Sequence, residues 1–592
     1  MAPDNKDRRK RIPRYGSDVI VDLMKALDIE YAAFNPGATF RGIHDSIINY
    51  GDNNNPEVIF CCHEEFSVAI AHGYAKAAGK PMAAITHDIV GLQHASMAIF
   101  NAWCDRVPVI VLGGTGPMDT TRRRPRTDWV HTALVQGNQV RDYVKWDDQP
   151  FSIRSVPDAF IRGYRIATTE PKAPVYICFD ADIQEDELKE TIPIPDVHRH
   201  DPPAPLQASR EALQQAARLL VASKTPVIIA DYLGRTPRAV AELVKLAELL
   251  AIPVIDKGNR FNFPNTHPLD ITGGSAEFLQ KADVILALDV PDLYGSLVQV
   301  NRTTRICEPV VQPSARIIHI SLNDMLIRSW ANDCYALQAV DVPICADTSI
   351  ALPELIGLCR RLLKKDSAAA KIAATRFKRI TAHHVALRNK WSTAAQQNPT
   401  DTISTAFLAR ELWSVISKED WVLVNGDARK WARKLWDWTR PYQYIGESGG
   451  AGIGYGLSAA IGAALAYRNS GKICVDIQSD GDLLMTASAL YTAAHHKIPL
   501  LIVMHNNQSF YNSEEHNVQI AKFRSRPIEN AGIGTHVDNP AVNFKKIAEG
   551  FGVYAAGPIR RAEELRPALE KALAIVKNRK LPALVDVVSA SR

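Results

Sequence analysis

Asp480 and Asn507 stand 27 positions apart, and each follows an apolar run that reads as a buried strand. The first run, beginning at Lys472, ends in Ser479-Asp480-Gly481, with a helix-like pattern from about Met485. The second, Pro499 to Met504, ends in His505-Asn506-Asn507. In a parallel sheet the two side chains emerge at the carboxyl ends of their strands, the edge at which such sheets bind ligands. A carboxylate, an amide oxygen and a nearby backbone carbonyl form an all-oxygen shell. That shell suits Mg²⁺ completed by phosphate oxygens and water. The Asp-Gly turn at a helix start also aims free backbone N–H groups at an anion. An Asp-Gly pair alone marks only a turn; its pairing with Asn507 makes it a candidate cation and phosphate site.

Two more side chains could do proton chemistry. Glu64 follows Cys61-Cys62-His63 and opens a helix whose small residues, Ala69, Ala71, Ala75 and Ala77, permit close packing. Taken alone, a carboxylate there answers the helix dipole. His87, in Ile85-Thr-His-Asp-Ile-Val-Gly91, follows a strand and is either an acid/base or a structural hydrogen-bonder. The stretch from Glu447 to Ser458 is too glycine-rich for a strand. It lacks the dinucleotide-binding spacing, because Tyr455 stands where a third glycine would fall. Taken alone it reads as a loop.

The elements that must position these groups alternate between strand and helix, which predicts doubly wound parallel sheets of α/β class. Strand-like runs include 108–112, 226–230, 284–288 and 499–504; helical runs include 238–250 and 561–576. At 592 residues the chain exceeds one core. Thr191 to Leu206 carries five prolines and reads as a linker. A charged helix from about Lys371 to Lys390 runs into Gln396-Gln-Asn-Pro-Thr400. Cuts at about 200 and 380 give three α/β domains, drawn as 1–195, 206–365 and 400–592.

Composition is that of a globular protein, with 46% hydrophobic and 22% charged residues and a net charge of +5. The basic runs Lys6 to Arg11 and Arg122 to Arg124 are short and read as solvated, so no nucleic-acid partner is expected. Nine cysteines show no metal-type spacing, and Cys61-Cys62 reads as buried thiol. No apolar stretch is long enough to span a bilayer, and the basic start lacks a signal core, so the expected setting is a reducing cytoplasm without membrane contact.

The strand–Asp-Gly–helix–strand–Asn-Asn arrangement resembles the cofactor motif of the thiamine-diphosphate decarboxylase and acetolactate synthase family. The resemblance implies thiamine diphosphate and Mg²⁺ as cofactors, with Asp480, Asn507 and the Ser509 carbonyl as metal ligands. It implies Gly481 and Asp482 beside the diphosphate. Ser479 replaces the family's usual first glycine, and Asp482 stands where a small residue is common. By the same resemblance Ile453 is the apolar wedge that bends the cofactor, and the Ala451 carbonyl lies near its 4′-amine. The segment His63-Glu64 through Gly73-Tyr-Ala75 and Gly79-Lys-Pro81 matches the family pattern in which the glutamate holds N1′ of the aminopyrimidine. Asn35-Pro-Gly37, Asn101-Ala-Trp103, the Pro226 strand and Ala251-Ile-Pro-Val254 extend the resemblance along the chain. It therefore implies pyrimidine-binding, central and diphosphate-binding domains.

The turn at His87 resembles that of benzoylformate decarboxylase, which implies a catalytic acid/base. Ala38, however, stands where that enzyme has a catalytic serine. His94, His131 and His505 are further candidates, and Glu514 lies one position off the relay carboxylate of pyruvate-type decarboxylases. The expected reaction is C–C cleavage or formation on a 2-oxo acid, aldehyde or 2-hydroxyketone, with acetolactate synthesis and a catalytically silent homologue as the alternatives. FAD is not expected. Arg260 to Pro268 resembles a flavin-associated stretch, but Leu288-Asp-Val-Pro-Asp292 departs from the family's flavin motif. The resemblance also implies a homodimer or homotetramer with sites at the subunit interface.

Overall fold

The computed structural model of the chain describes residues 12–325, 336–396 and 402–590. The basic run Lys6 to Arg11 and positions 397–400 of the second punctuated stretch lie outside the described residues. The chain forms two compact units, Met1–Pro203 with Ser448–Ala463, and Ala204–Glu447 with Ala464–Arg592.

The first unit holds a six-stranded sheet in the order β2-β1-β3-β4-β6-β5. Its strands are β1 Tyr31–Phe34, β2 Glu57–Phe60, β3 Ala83–Thr86, β4 Ile110–Thr115, β5 Trp146–Asp148 and β6 Val175–Asp180. All pairings are parallel. β3 and β4 are buried at every position, which is why they read as continuous apolar runs without alternation. Ile85, Ile110, Leu112 and Ile177 are fully buried. Each contributes roughly 1.5–3 kcal/mol by leaving water.

The second unit holds two five-stranded parallel sheets and a hairpin. The first sheet, β13-β12-β9-β7-β8, uses β7 Pro226–Ala230, β8 Val254–Asp256, β9 Val284–Leu288, β12 Arg316–Ser321 and β13 Val342–Cys345. The hairpin pairs β10 Val298–Val300 with β11 Cys307–Pro309. The last sheet, β14-β15-β16-β18-β17, uses β14 Trp421–Asn425, β15 Ile473–Ser479, β16 Leu501–Asn506, β17 Tyr554–Ile559 and β18 Ala583–Val588. The three parallel α/β sheets are those the alternating pattern predicts.

Two helices differ in extent from expectation. The charged helix expected from about Lys371 to Lys390, within which the cut near residue 380 is drawn, runs over 30 residues, Ser367–Gln396. Buried Arg376 binds this helix to the sheet β13-β12-β9-β7-β8 by donating to the carbonyls of Ala251 at 2.8 Å and Lys224 at 2.9 Å. The helix expected from about Met485 begins instead at Asp480. Apolar periodicity starts only after Asp-Gly-Asp, but carboxylates are favoured in a first turn, where they meet unpaired N–H groups.

Candidate active site

Register places the metal-type residues. β15 pairs with β16 so that Ser479 faces His505, and both chains therefore leave the sheet at one edge. The Asp480 side chain is 1% exposed. Its Oδ1 accepts the Gly481 amide at 2.8 Å, and its Oδ2 accepts the Ser509 amide at 3.2 Å. That same Ser509 amide also reaches Oδ1 of Asn507 at 3.2 Å, so one N–H holds the carboxylate and the amide oxygen side by side. The Ser509 hydroxyl donates to Glu514 at 2.6 Å, and His536 stands 3.2 Å from that carboxylate. Gln478 donates to Asp482. Phe510 closes over the turn: a Cβ on Gly481 would lie 2.6 Å from its ring, so only glycine fits.

Burial pushes the Asp480 carboxyl up to about 6 against the hydrogen bonds from Gly481, Gln508 and Ser509. No cationic side chain among the described residues pairs with it. A buried carboxylate held beside an amide oxygen is a donor pair suited to a hard divalent cation. His505 is buried at the end of β16, and burial lowers it to about 4, so it is neutral at physiological pH.

In the first unit, β2 ends at Phe60 and the chain turns through extended His63, whose ring accepts the Glu65 amide and caps the Glu64–Ala78 helix. Glu64 is 4% exposed. Its Oε1 accepts from Asn35 at 3.2 Å, and its Oε2 hydrogen-bonds Nδ1 of His94 at 3.0 Å. His94 stacks on His63 with ring centroids 4.6 Å apart. Burial pushes the Glu64 carboxyl up, but hydrogen bonds from His94, its own amide and Asn35 outweigh it and hold the group below the usual carboxylate range.

The glycine-rich segment packs within this unit. Buried Asn101 accepts the Gly452 amide at 3.3 Å, Ala451 sits at φ +55°, and Ile453 is half exposed. Asn101 belongs to a motif seen in the sequence, but its grip on this segment joins residues 351 positions apart.

His87 and Glu64 flank one glycine. A Cβ on Gly91 would meet His87 Cβ at 3.0 Å and Glu64 Cγ at 3.2 Å. Nδ1 of His87 hydrogen-bonds the Thr39 hydroxyl at 2.8 Å and lies 3.0 Å from Oδ1 of Asp88. His131 reaches the same carboxylate oxygen at 3.6 Å. The sequence shows Ala38 in place of a serine; the fold supplies a hydroxyl from the next residue, Thr39. Thr39, Asp88 and Asn35 were not singled out from the sequence as site residues, because each gains its partner only when loops 25–50 residues apart meet.

The carboxyl edge of β13-β12-β9-β7-β8 is acidic. Asp231 and Asp289 follow β7 and β9, Asp256 ends β8, and Asp347 lies just after β13; all four are buried. Arg235 is spent on Asp289 at 2.7 Å and approaches Asp347 at 3.8 Å. An open sheet binds a dinucleotide's diphosphate at this edge; here Arg433 is likewise held by Asp256 at 3.0 Å, so both arginines are engaged by the edge's own carboxylates.

The basic run is neutralised locally: Arg122 pairs with Asp182 and Asp186, and Arg124 with Asp128. No helix among the described residues is long and apolar enough to cross a membrane.

Residues 14–139 match the family described as thiamine pyrophosphate enzyme, N-terminal TPP binding domain. Residues 213–355 match its central domain, and 425–587 its C-terminal TPP binding domain. Along 98% of its length the chain is 26% identical to a probable acetolactate synthase 2, chloroplastic, of Oryza sativa subsp. japonica, covering 84% of that protein. It is 24% identical to a probable acetolactate synthase large subunit of Methanocaldococcus jannaschii, with 97% and 91% covered. The fold is similar to a thiamine diphosphate-dependent 4-hydroxybenzoylformate decarboxylase of Rhodococcus jostii RHA1, with TM-score 0.76, 20% identity, and 97% and 99% of the two chains covered. It is also similar to benzoylformate decarboxylase from Polynucleobacter necessarius, with TM-score 0.75, 18% identity, and 98% and 99% covered. With all three domains matched in order, the chain belongs to the thiamine pyrophosphate enzyme family and is a thiamine-diphosphate-dependent enzyme of its lyase and transferase class.

Proposed function

We propose that the chain is a thiamine-diphosphate- and Mg²⁺-dependent 2-oxo acid decarboxylase and carboligase. The observation that carries this is His87, oriented by the Thr39 hydroxyl beside the Gly91 contact with Glu64. An imidazole there can move protons at a substrate carbonyl. Bound to the chain, the coenzyme supplies the nucleophilic carbon and the electron sink that bond cleavage beside a carbonyl requires.

The chain's own residues divide the remaining work. Asp480, Asn507 and the Ser509 carbonyl would hold Mg²⁺, with Gly481 and Asp482 toward the diphosphate. Glu64 would hold N1′ of the aminopyrimidine, the Ala451 carbonyl would accept from the 4′-amine, and Ile453 would give the ring apolar support. Glu514, tied to Ser509, is a second proton carrier near the diphosphate end. Glu64 comes from one copy of the chain and the metal ligands from its partner, so the active form is a homodimer or homotetramer. The eight described cysteines are free thiols, which supports a cytoplasmic setting.

A screen of 2-oxo acids with coenzyme and Mg²⁺, following CO₂ and aldehyde, tests the reading. Turnover is expected to need both cofactors, and Asp480→Asn is expected to abolish Mg²⁺-dependent coenzyme binding. A wild type that binds the coenzyme equally well without Mg²⁺ refutes the metal assignment. The names of the sequence relatives favour a second reading, acetolactate synthesis; conversion of pyruvate to acetolactate as the main product would establish it instead.

A further inference from the structure

Asp88 holds neither coenzyme nor metal in this scheme, yet it is the most unusual acid in the first unit. Its side chain is completely buried, and neither carboxylate oxygen receives a hydrogen bond. A carboxylate in that position loses its hydration without direct compensation, so a fold retains one where a polarised or cationic group faces it. Among the described residues two groups do so: Nδ1 of His87 at 3.0 Å and Nδ1 of His131 at 3.6 Å. The two rings stand edge to face, with centroids 5.5 Å apart.

Three separate segments build this cluster. His87 and Asp88 follow β3. Thr39, after β1, accepts the Asp88 amide at 3.2 Å and binds His87. His131 ends the short helix Thr127–His131, whose Asp128 is clamped by Arg124 through Nε at 3.0 Å and Nη2 at 2.7 Å. The backbone after Asp88 is held against its preference: β-branched Ile89 sits at φ +28°, with its amide on Gln136 Oε1 at 3.3 Å.

We propose that Asp88 is a positioning residue that makes His87 and His131 a paired acid and base, with His131 the second catalytic imidazole. The inference rests on the decarboxylase reading. Both Nδ1 atoms face the carboxylate, at 3.0 and 3.6 Å, so in each ring Nε2 lies on the side away from Asp88, and the buried negative charge orients the two imidazoles together. Decarboxylation of a 2-oxo acid needs two proton transfers, which two imidazoles can divide between them. Overall, R–CO–COO⁻ + H⁺ → R–CHO + CO₂: the bond to the carboxylate breaks, and a C–H bond forms on the same carbon. In addition the carbonyl oxygen gains a proton during attack and returns it at product release. One ring lends and recovers the oxygen's proton, and the other delivers the carbon's proton and is recharged from solvent.

The test uses holoenzyme with thiamine diphosphate and Mg²⁺, benzoylformate and pyruvate as probes, and the variants Asp88→Asn, Asp88→Glu and His131→Gln. Asp88→Asn is expected to lower kcat by about 100-fold or more, with KM and coenzyme affinity held within about threefold. Asp88→Glu, which restores the charge, is expected to recover about tenfold of that loss. His131→Gln, at a partly exposed position, is expected to lower kcat by about tenfold or more and decides the question should the Asp88 variants fail to fold. Wild-type kcat in either Asp88→Asn or His131→Gln overturns the inference. So does a stoichiometric transition metal in the wild type that both variants lose, since that assigns the cluster to metal binding. A wild type inactive on every 2-oxo acid refutes the decarboxylase reading itself, whereas an active wild type with unaffected variants refutes this inference alone.

Discussion

Glu64 and His94 form a hydrogen bond of 3.0 Å between Oε2 and Nδ1, and the same carboxylate is held at its other oxygen by Asn35. The buried acid is thus oriented before any ligand arrives. Preorganisation of this kind places the cost of ordering in folding and leaves less of it to binding.

Glu64→Gln should keep that geometry but cannot act as an anion. Turnover is expected to fall by about 10²–10⁴-fold with Mg²⁺-dependent coenzyme binding retained. Steady-state rates and tryptophan fluorescence titration with the coenzyme check both halves. Unchanged turnover removes Glu64 from the chemistry.

His94→Phe keeps an aromatic ring against His63 and deletes the hydrogen bond. Burial then meets less opposition, and the Glu64 carboxyl rises from its depressed position. The acid limb of kcat/KM is expected to move to higher pH, because more alkaline conditions are then needed to ionise the group. A pH–rate profile that stays in place contradicts the coupling.

Asp231 offers a stability test away from the site. Burial pushes its carboxyl up to about 7 despite hydrogen bonds from Asn259. In the unfolded chain it titrates near ~3.9. Between about pH 4 and 7 the unfolded state has lost a proton that the folded state keeps, so stability falls as pH rises through that window. Asp231→Asn lacks this slope. It should be more stable than wild type by about 1–3 kcal/mol at pH 8 and no more stable near pH 4. Urea midpoints at the two pH values measure it.

The acidic edge around Asp231, Asp256, Asp289 and Asp347 predicts protein purified without a flavin absorption band and with no flavin released on denaturation. Stoichiometric flavin in the native protein would show that the edge rearranges to accept a diphosphate.

The chemistry-bearing backbone of this protein was legible in one dimension. Asp480 and Asn507 follow apolar strands, Glu64 opens an alanine-rich helix, and both signals are local, depending on strand length, turn residues and spacing within about thirty positions. The alternation that announced three parallel sheets is local in the same sense. What the fold alone decided is which distant side chains meet. One Ser509 amide joins Asp480 to Asn507, Gly91 separates His87 from Glu64, and Thr39 and His131 converge on Asp88. The start of the helix at Asp480 was carried by the sequence too, in its first-turn carboxylates rather than in the apolar period. Periodicity reports which face of an element is buried; it carries no information on the loops at the sheet edges, whose encounters are fixed by strand order and register.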